Sequence, residues 1–414
     1  MQQLEVSLLL LLGVAAVVAI ISNRVNTPYS IGLVVAGLIL GNVVSFAGLE
    51  LTPALLFLVV LPGLLFEGAF SLDFREFWKA RFSILTLAVP GLIASTFLTA
   101  GLLWVGINYW RPNTVTIDEA LAFGALISAT DPLSVLALFR ACRVDPRLCV
   151  MVEGEALFND GTAVVVFTIV LGLADGQGFA WSGAVLDFGR IAGIGALVGA
   201  AFGIGSALVI RAIDDAMIEI TLTLLAAYGA FISAQLLGLS GVIACVVAGL
   251  IAGTWGAEGM NSSTTHASKT FWTYLAFLLN SVIFLLIGTK IHLATLSHYV
   301  PEILIGWVAI NLSRAVVVYI KAAIMRSVGS TDFPFSWATI IGWGGLRGGL
   351  SMVLALGLPS TFAHRDMILH TTYGVVLLTL IVQGLTIRPM LHLLKLVRSE
   401  AAAKKPEPGG IPTR

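Results

Sequence analysis

Apolar residues run in blocks of about twenty along nearly the whole chain, and ~20 is the number a helix needs to cross a bilayer. Charges, prolines and glycines divide the 414 residues into thirteen such blocks: 5–22, 28–44, 52–70, 82–107, 118–139, 148–172, 189–210, 217–237, 240–256, 270–289, 300–320, 335–357 and 367–392. In hydrocarbon every backbone polar group must be satisfied within its segment, so each block is expected to be a helix. Only 11% of residues are charged, against ~25% in a soluble domain. That scarcity argues against a soluble enzyme, a nucleic-acid binder and a disordered regulator. The 23 basic and 23 acidic residues cancel, so no polycationic face is available for phosphates. Cys142, Cys149 and Cys245 form no spaced metal-ligand pair, and no cofactor is expected. The expected fold is an all-α polytopic membrane protein. Met1 to Val6 carries no positive charge and no small-residue cleavage site follows, so the first block reads as a span rather than a signal peptide.

Cytoplasmic loops collect Lys and Arg. With the N-terminus outside, and Arg190 and Arg388 at span ends counted with the adjoining segments, 17 basic residues fall on inside segments and 4 on outside segments, leaving Arg314 and Arg347 deep within spans. This split predicts an odd number of spans, N-terminus out and C-terminus in.

Charges at mid-bilayer are costly and mark ion paths or buried pairs. Asp131 lies nine residues before Arg140, ~13 Å deep at 1.5 Å per residue, and Asp160 lies thirteen past Arg147, ~20 Å deep. Spans 5 and 6 form a hairpin, so both carboxylates are expected near the midplane. Pro132 follows Asp131 within Ser128-Ala129-Thr130-Asp131-Pro132, where it frees carbonyls beside a carboxylate and hydroxyls. In span 6, Glu153 and Asp160 fall within ~20° of one face, whereas Glu155 points ~140° away from Asp160. Glu155 is therefore expected to pair with Arg314 of span 11 and brace the site. Span 12 holds Gly342, Gly344, Gly345, Gly348 and Gly349 around Arg347. Each glycine weakens a helix by ~1 kcal/mol, so an unwound segment is expected there, with Arg347 compensating free carbonyls and site charge. Spans 5 and 12 are then equivalent interrupted helices of two inverted six-span repeats, the arrangement of a secondary transporter with a midplane site.

At these residues the sequence resembles the monovalent cation/proton antiporters of the NhaP and eukaryotic Na+/H+ exchanger branch. The matching motifs are Ala129-Thr130-Asp131-Pro132, Glu153 to Thr162 with Asn159-Asp160, Asn311 to Arg314, and Gly344 to Gly349. The resemblance implies a thirteen-helix antiporter fold with dimerisation-domain helices 1–3 over 1–80 and core helices 4–6 over 81–173. A linker helix 7 over 174–211, dimerisation-domain helices 8–10 over 212–290, core helices 11–13 over 291–398 and a short cytoplasmic tail 399–414 complete it. It implies a homodimer in the cell inner membrane, exchanging Na+ or Li+ for H+ by alternating access. Asp160 would be the shared Na+/H+ carboxylate, and Asp131, Thr130 and Asn159 further ion- or proton-binding residues. Asn159-Asp160 resembles the electroneutral, 1:1 branch; Glu155 and Arg314 take the family's ion-bridge positions. Glu153 is a candidate for a cytoplasmic funnel. Ala156 departs from the family pattern, which has Ser there, so a hydroxyl ligand is missing.

Residue types do not separate this reading from a K+/H+ antiporter of the same fold. A channel would place charges and carbonyls similarly but does not need paired broken helices. Gly238-Leu239-Ser240-Gly241 matches the short pattern of an intramembrane serine protease, yet no histidine is placed to activate Ser240, which reads more simply as a helix N-cap. Glu67 is expected at the interface near the basic loop. Trp78, Trp110 and Trp181 are expected as interfacial anchors, and His266 in a polar loop.

Overall fold

A computed structural model describes residues 2–25, 27–43, 55–174, 181–329 and 333–397. Met1, the start of the third expected span at 52–54, the Trp181 side chain, and Arg398 with the tail 399–414 lie outside the described residues. Among the described residues every regular element is a helix, with no strand. We number the elements α1 (Gln2–Val25), α2 (Tyr29–Val43), α3 (Leu56–Ser71), α4 (Phe74–Trp110), α5 (Ile117–Ala141), α6 (Pro146–Ala174) and α7 (Trp181–Ile210). They continue as α8 (Ala216–Leu236), α9 (Gly241–Gly259), α10 (Ser262–Lys290), α11 (Val300–Ser327), α12 (Phe335–Trp343 and Gly349–Leu356) and α13 (Arg365–Leu393). Each expected span falls on one of them.

The helices outrun the apolar blocks at several ends, because capping side chains let polar residues continue them. Asp73 caps α4, its carboxylate accepting from Arg75 N (3.0 Å) and Glu76 N (3.1 Å). Arg75, Lys79 and Arg81, expected in a loop, therefore lie on the first turns of α4, where Trp78 and Phe82 are exposed beside them. Asn261 caps α10, so His266 and Lys269 are helical rather than in a polar loop. Asp215 caps α8. Ser240 caps α9, accepting from Ile243 N at 3.2 Å, and Gly238 takes the left-handed φ of +68° in the tight turn before it. The hydroxyl that matched a protease pattern is thus engaged as a cap.

Two elements break. In α5 the halves Ile117–Ser128 and Leu133–Ala141 are separated by 129–132, since Pro132 clashes with the preceding turn and biases Asp131 away from helix. In α12 the halves are separated by 344–348, the glycine-rich stretch.

Small residues set the packing. α2 crosses α10 where Gly37 and Gly288 face backbone, so a Cβ on either would strike the Leu285 or Val34 carbonyl. α7 meets α9 with Gly199 against the Ala244 carbonyl. Helices α1, α2, α3, α8, α9 and α10 pack mainly among themselves, as do α4, α5, α6, α11, α12 and α13; α7 runs along α8 and α9 and touches α6.

This packing predicts that Gly288→Val, which needs room the Val34 backbone occupies, destabilises the protein by roughly 1–3 kcal/mol, the usual cost of overpacking. Thermal unfolding in detergent measures it, and an unchanged melting temperature would show that α2 and α10 are further apart.

Candidate cation site

The two broken segments meet and complete each other's hydrogen bonding. Asp131 N donates to Leu346 O at 2.7 Å. The Arg347 guanidinium donates through Nη1 to Ser128 O (2.7 Å) and Ala129 O (3.0 Å), the carbonyls that the α5 break leaves free. A cation is favoured at this C-terminal end of a half-helix. Arg347 N in turn donates to Thr379 Oγ1 at 3.2 Å, in a one-turn π-bulge of α13 at Thr379–Gln383. Arg347 is 2% exposed.

Two of the glycines in α12 are needed for close approach as well as for unwinding. A Cβ at Gly348 would lie 2.5 Å from both Asp131 Cβ and Oδ2, and one at Gly345 would collide with the Arg314 guanidinium. Asp131 Oδ1 also accepts from Leu133 N at 3.0 Å, starting the second half of α5.

Behind the crossing, Arg314 of α11 grips Glu155 of α6 with two parallel hydrogen bonds, Nη1 to Oε1 at 3.1 Å and Nη2 to Oε2 at 2.9 Å. Arg314 Nε donates to Ile341 O at 3.2 Å, tying the pair to the first half of α12. Asn159 Nδ2 donates to Glu155 Oε1 at 2.9 Å. Asn159 is 2% exposed and its amide faces this ion pair, away from the Asp160 cavity.

In front of the crossing lies a cavity of about 900 Å³, its open mouth included. α5, α6 and α12 form one wall; α3 and α10 form the other. Thr130, Asp131, Glu153 and Asp160 all line it, so the expected shared face of Glu153 and Asp160 is present, with Glu155 turned away. Glu153 lies 3.7 Å from Arg140. Asp160 Oδ1 and Thr130 Oγ1 are buried without a hydrogen-bond partner among the described residues. Unpaired oxygens of a carboxylate and a hydroxyl are hard donors, suited to a small cation that has shed water.

The family model described as "Sodium/hydrogen exchanger, transmembrane" matches residues 11–393. The chain belongs to the sodium/hydrogen exchanger family. The chain is 38% identical over 407 residues to the Na+/H+ antiporter ApNhaP of Aphanothece halophytica, covering 97% of this chain and 76% of that one. It is 36% identical over 340 residues to the Na+/H+ antiporter NhaP of Pseudomonas aeruginosa, covering 80% and 79%. Its fold is similar to that of the sodium proton antiporter MjNhaP1 from Methanocaldococcus jannaschii, with a TM-score of 0.76 at 20% identity, covering 96% of this chain and 100% of that one. Family members are transporters, so this exchanger is a polytopic membrane transporter rather than an enzyme, with monovalent cations and protons as its substrate class.

Three features of the exchanger's site escaped the sequence. Glu67, expected at the interface, is half-buried in the cavity wall and accepts from Ser71 Oγ at 3.4 Å. Thr379 supports the Arg347 backbone, and Ser351 lines the cavity from α12. None is a charge on a broken mid-membrane helix, the feature that makes a residue stand out in an apolar sequence.

The buried Glu155–Arg314 pair makes a testable contrast. Removing one partner leaves an uncompensated buried charge, costing roughly 3–5 kcal/mol, whereas an apolar pair of similar size costs far less. Glu155→Leu or Arg314→Met alone should therefore lower the melting temperature more than the double variant does. Equal, additive losses would mean the two side chains are not coupled.

Proposed function

We propose that this chain exchanges Na+ or Li+ for H+ across the cell inner membrane, one for one, with Asp160 carrying either ion. The carrying observation is the orphaned Asp160 Oδ1, buried in a cavity whose two walls belong to the two helix groups. Movement of α4–α6 with α11–α13 against the remaining helices would expose this boundary to one side and then the other. In the proposed roles the first group is the transport core, the second is the dimerisation domain of a homodimer, and α7 links them.

Charge explains why the step couples. Glu155 and Arg314 cancel as a bound pair. Arg347 and Asp131 sum to zero formal charge at the crossing, Arg347 being bonded to the Ser128 and Ala129 carbonyls rather than to the carboxylate. Asp160 is then the one uncancelled charge at the crossing, and carrying it empty through an apolar barrier is costly. One H+ or one Na+ removes the cost, so the core moves loaded and does not leak. Thr130 Oγ1 and Asp131 are proposed as further ligands, and Glu153 as a cation-attracting residue in the approach. Asn159 acts through Glu155, because its amide is bonded there. The lysine and arginine asymmetry supports an outside N-terminus and an inside C-terminus.

Purified protein in liposomes with an internal pH dye tests this. Wild type should acidify or alkalinise the lumen on a Na+ jump, at a rate unchanged by a clamped membrane potential. Asp160→Asn should fall to the protein-free background. Exchange at the wild-type rate in Asp160→Asn would sink the assignment, and a rate that follows voltage would sink the one-for-one stoichiometry. A K+ jump that drives exchange as well as Na+ does would instead favour a K+/H+ antiporter.

A further inference from the structure

We infer that Ser351 is a cation ligand of this exchanger, supplying from α12 the hydroxyl that Ala156 does not supply from α6. The inference rests on the reading of Asp160 as the ion carrier.

The behaviour of other buried hydroxyls sets the contrast. In a membrane helix Ser and Thr usually donate to the carbonyl four residues back. Ser128 Oγ donates to Gly124 O (2.6 Å), Ser313 Oγ to Ala309 O (2.6 Å) and Thr372 Oγ1 to Ile368 O (2.7 Å). Ser351 makes no such bond; Thr99 and Thr371 are also unpaired among the described residues, but of these three only Ser351 lines the cavity. Its fourth-back residue is Arg347, within the non-helical break, so no helical carbonyl stands beneath it. Ser351 is fully buried, and its Oγ has no hydrogen-bond partner among the described residues. A hydroxyl left unpaired in such a place costs free energy, which a ligand would recover.

Its position points to the ligand. Ser351 lines the same cavity as Asp160, Asp131 and Thr130. It lies three residues after Gly348, which borders the same cavity from the break and whose Cβ position is 2.5 Å from Asp131 Oδ2. Ala156, on α6 one turn before Asp160, lines the cavity with a methyl group. A cation held by Asp160 thus finds its hydroxyl donors at Thr130 and Ser351. The observed packing does not require the hydroxyl: Ser351 bonds to no other element, so alanine would fit the space.

The test is Na+ dependence of exchange in liposomes for wild type, Ser351→Ala, Ser351→Thr, Ser351→Ala with Ala156→Ser, and Asp160→Asn. Losing one oxygen ligand should raise the Na+ KM about three- to tenfold in Ser351→Ala, the usual range for one hydrogen-bond-scale contact. The rate at saturating Na+ should stay near wild type. Ser351→Thr keeps the hydroxyl and should keep the wild-type KM, and adding Ala156→Ser should return it toward that value. A purely structural Ser351 would change the recovered amount or the maximal rate and leave KM in place; that result overturns the proposal. If Ser351→Ala is not recovered folded, Ser351→Cys carries the test, since a soft thiol is a poor ligand for Na+. An unchanged KM in Ser351→Ala beside an inactive Asp160→Asn refutes the Ser351 assignment alone. An active Asp160→Asn refutes the underlying reading instead.

Discussion

A broken helix in a bilayer leaves backbone carbonyls and amides that no water can satisfy, and each costs several kcal/mol unless protein supplies a partner. The chain has two such breaks and sets them against each other. Arg347 takes the carbonyls of Ser128 and Ala129, while the Asp131 amide takes the carbonyl of Leu346. Neither break is satisfied as well without the other. The site follows from this exchange, because it leaves the side-chain oxygens of Thr130 and Asp131 at the cavity, beside Asp160.

The crossing also dictates what lies behind it. Two helices can approach this closely only where glycine replaces side chains, hence Gly348 against Asp131 and Gly345 against Arg314. Arg314 then needs an anion, and Glu155 meets it with both oxygens. The pair links α6, α11 and, through Ile341, the first half of α12. The buried charges behind the crossing are therefore a brace, and those in front of it line the cavity.

Much of this was legible in the sequence because it rests on rare residues. A proline inside an apolar block, five glycines around an arginine and a short roster of mid-membrane charges are signals that local chemistry fixes. The angular offset between Glu155 and Asp160 follows from helix geometry, and the structure keeps it. What was not legible depends on partners distant in sequence. Asn159 stands next to Asp160 yet turns to Glu155, since successive residues on a helix point about 100° apart. Thr379 looks like any membrane threonine until a π-bulge presents it to Arg347 N. Ser351 becomes unusual only when the break beneath it removes its helical acceptor. The ends of α4 and α10 were misjudged for another reason: Asp73 and Asn261 cap them, so polar turns that hydropathy assigns to loops remain helical.

These features together bear on the proposed one-for-one exchange through a single carboxylate. Each buried charge that is already paired stays constant through the cycle and adds nothing to the barrier's dependence on load. With Glu155 held by Arg314, and Arg347 matching Asp131 in formal charge only, the proposed reading puts the load dependence on Asp160. A second unpaired carboxylate at the crossing would demand a second cation before the core could move, and the exchange would carry net charge. Glu153 and Glu67 also line the cavity, but Glu153 has Arg140 beside it and Glu67 has the Ser71 hydroxyl. On the proposed reading their charge concentrates cations near Asp160 without fixing how many travel. Stoichiometry is then set by which carboxylates the brace and the crossing neutralise, and affinity by which hydroxyls the break leaves unpaired.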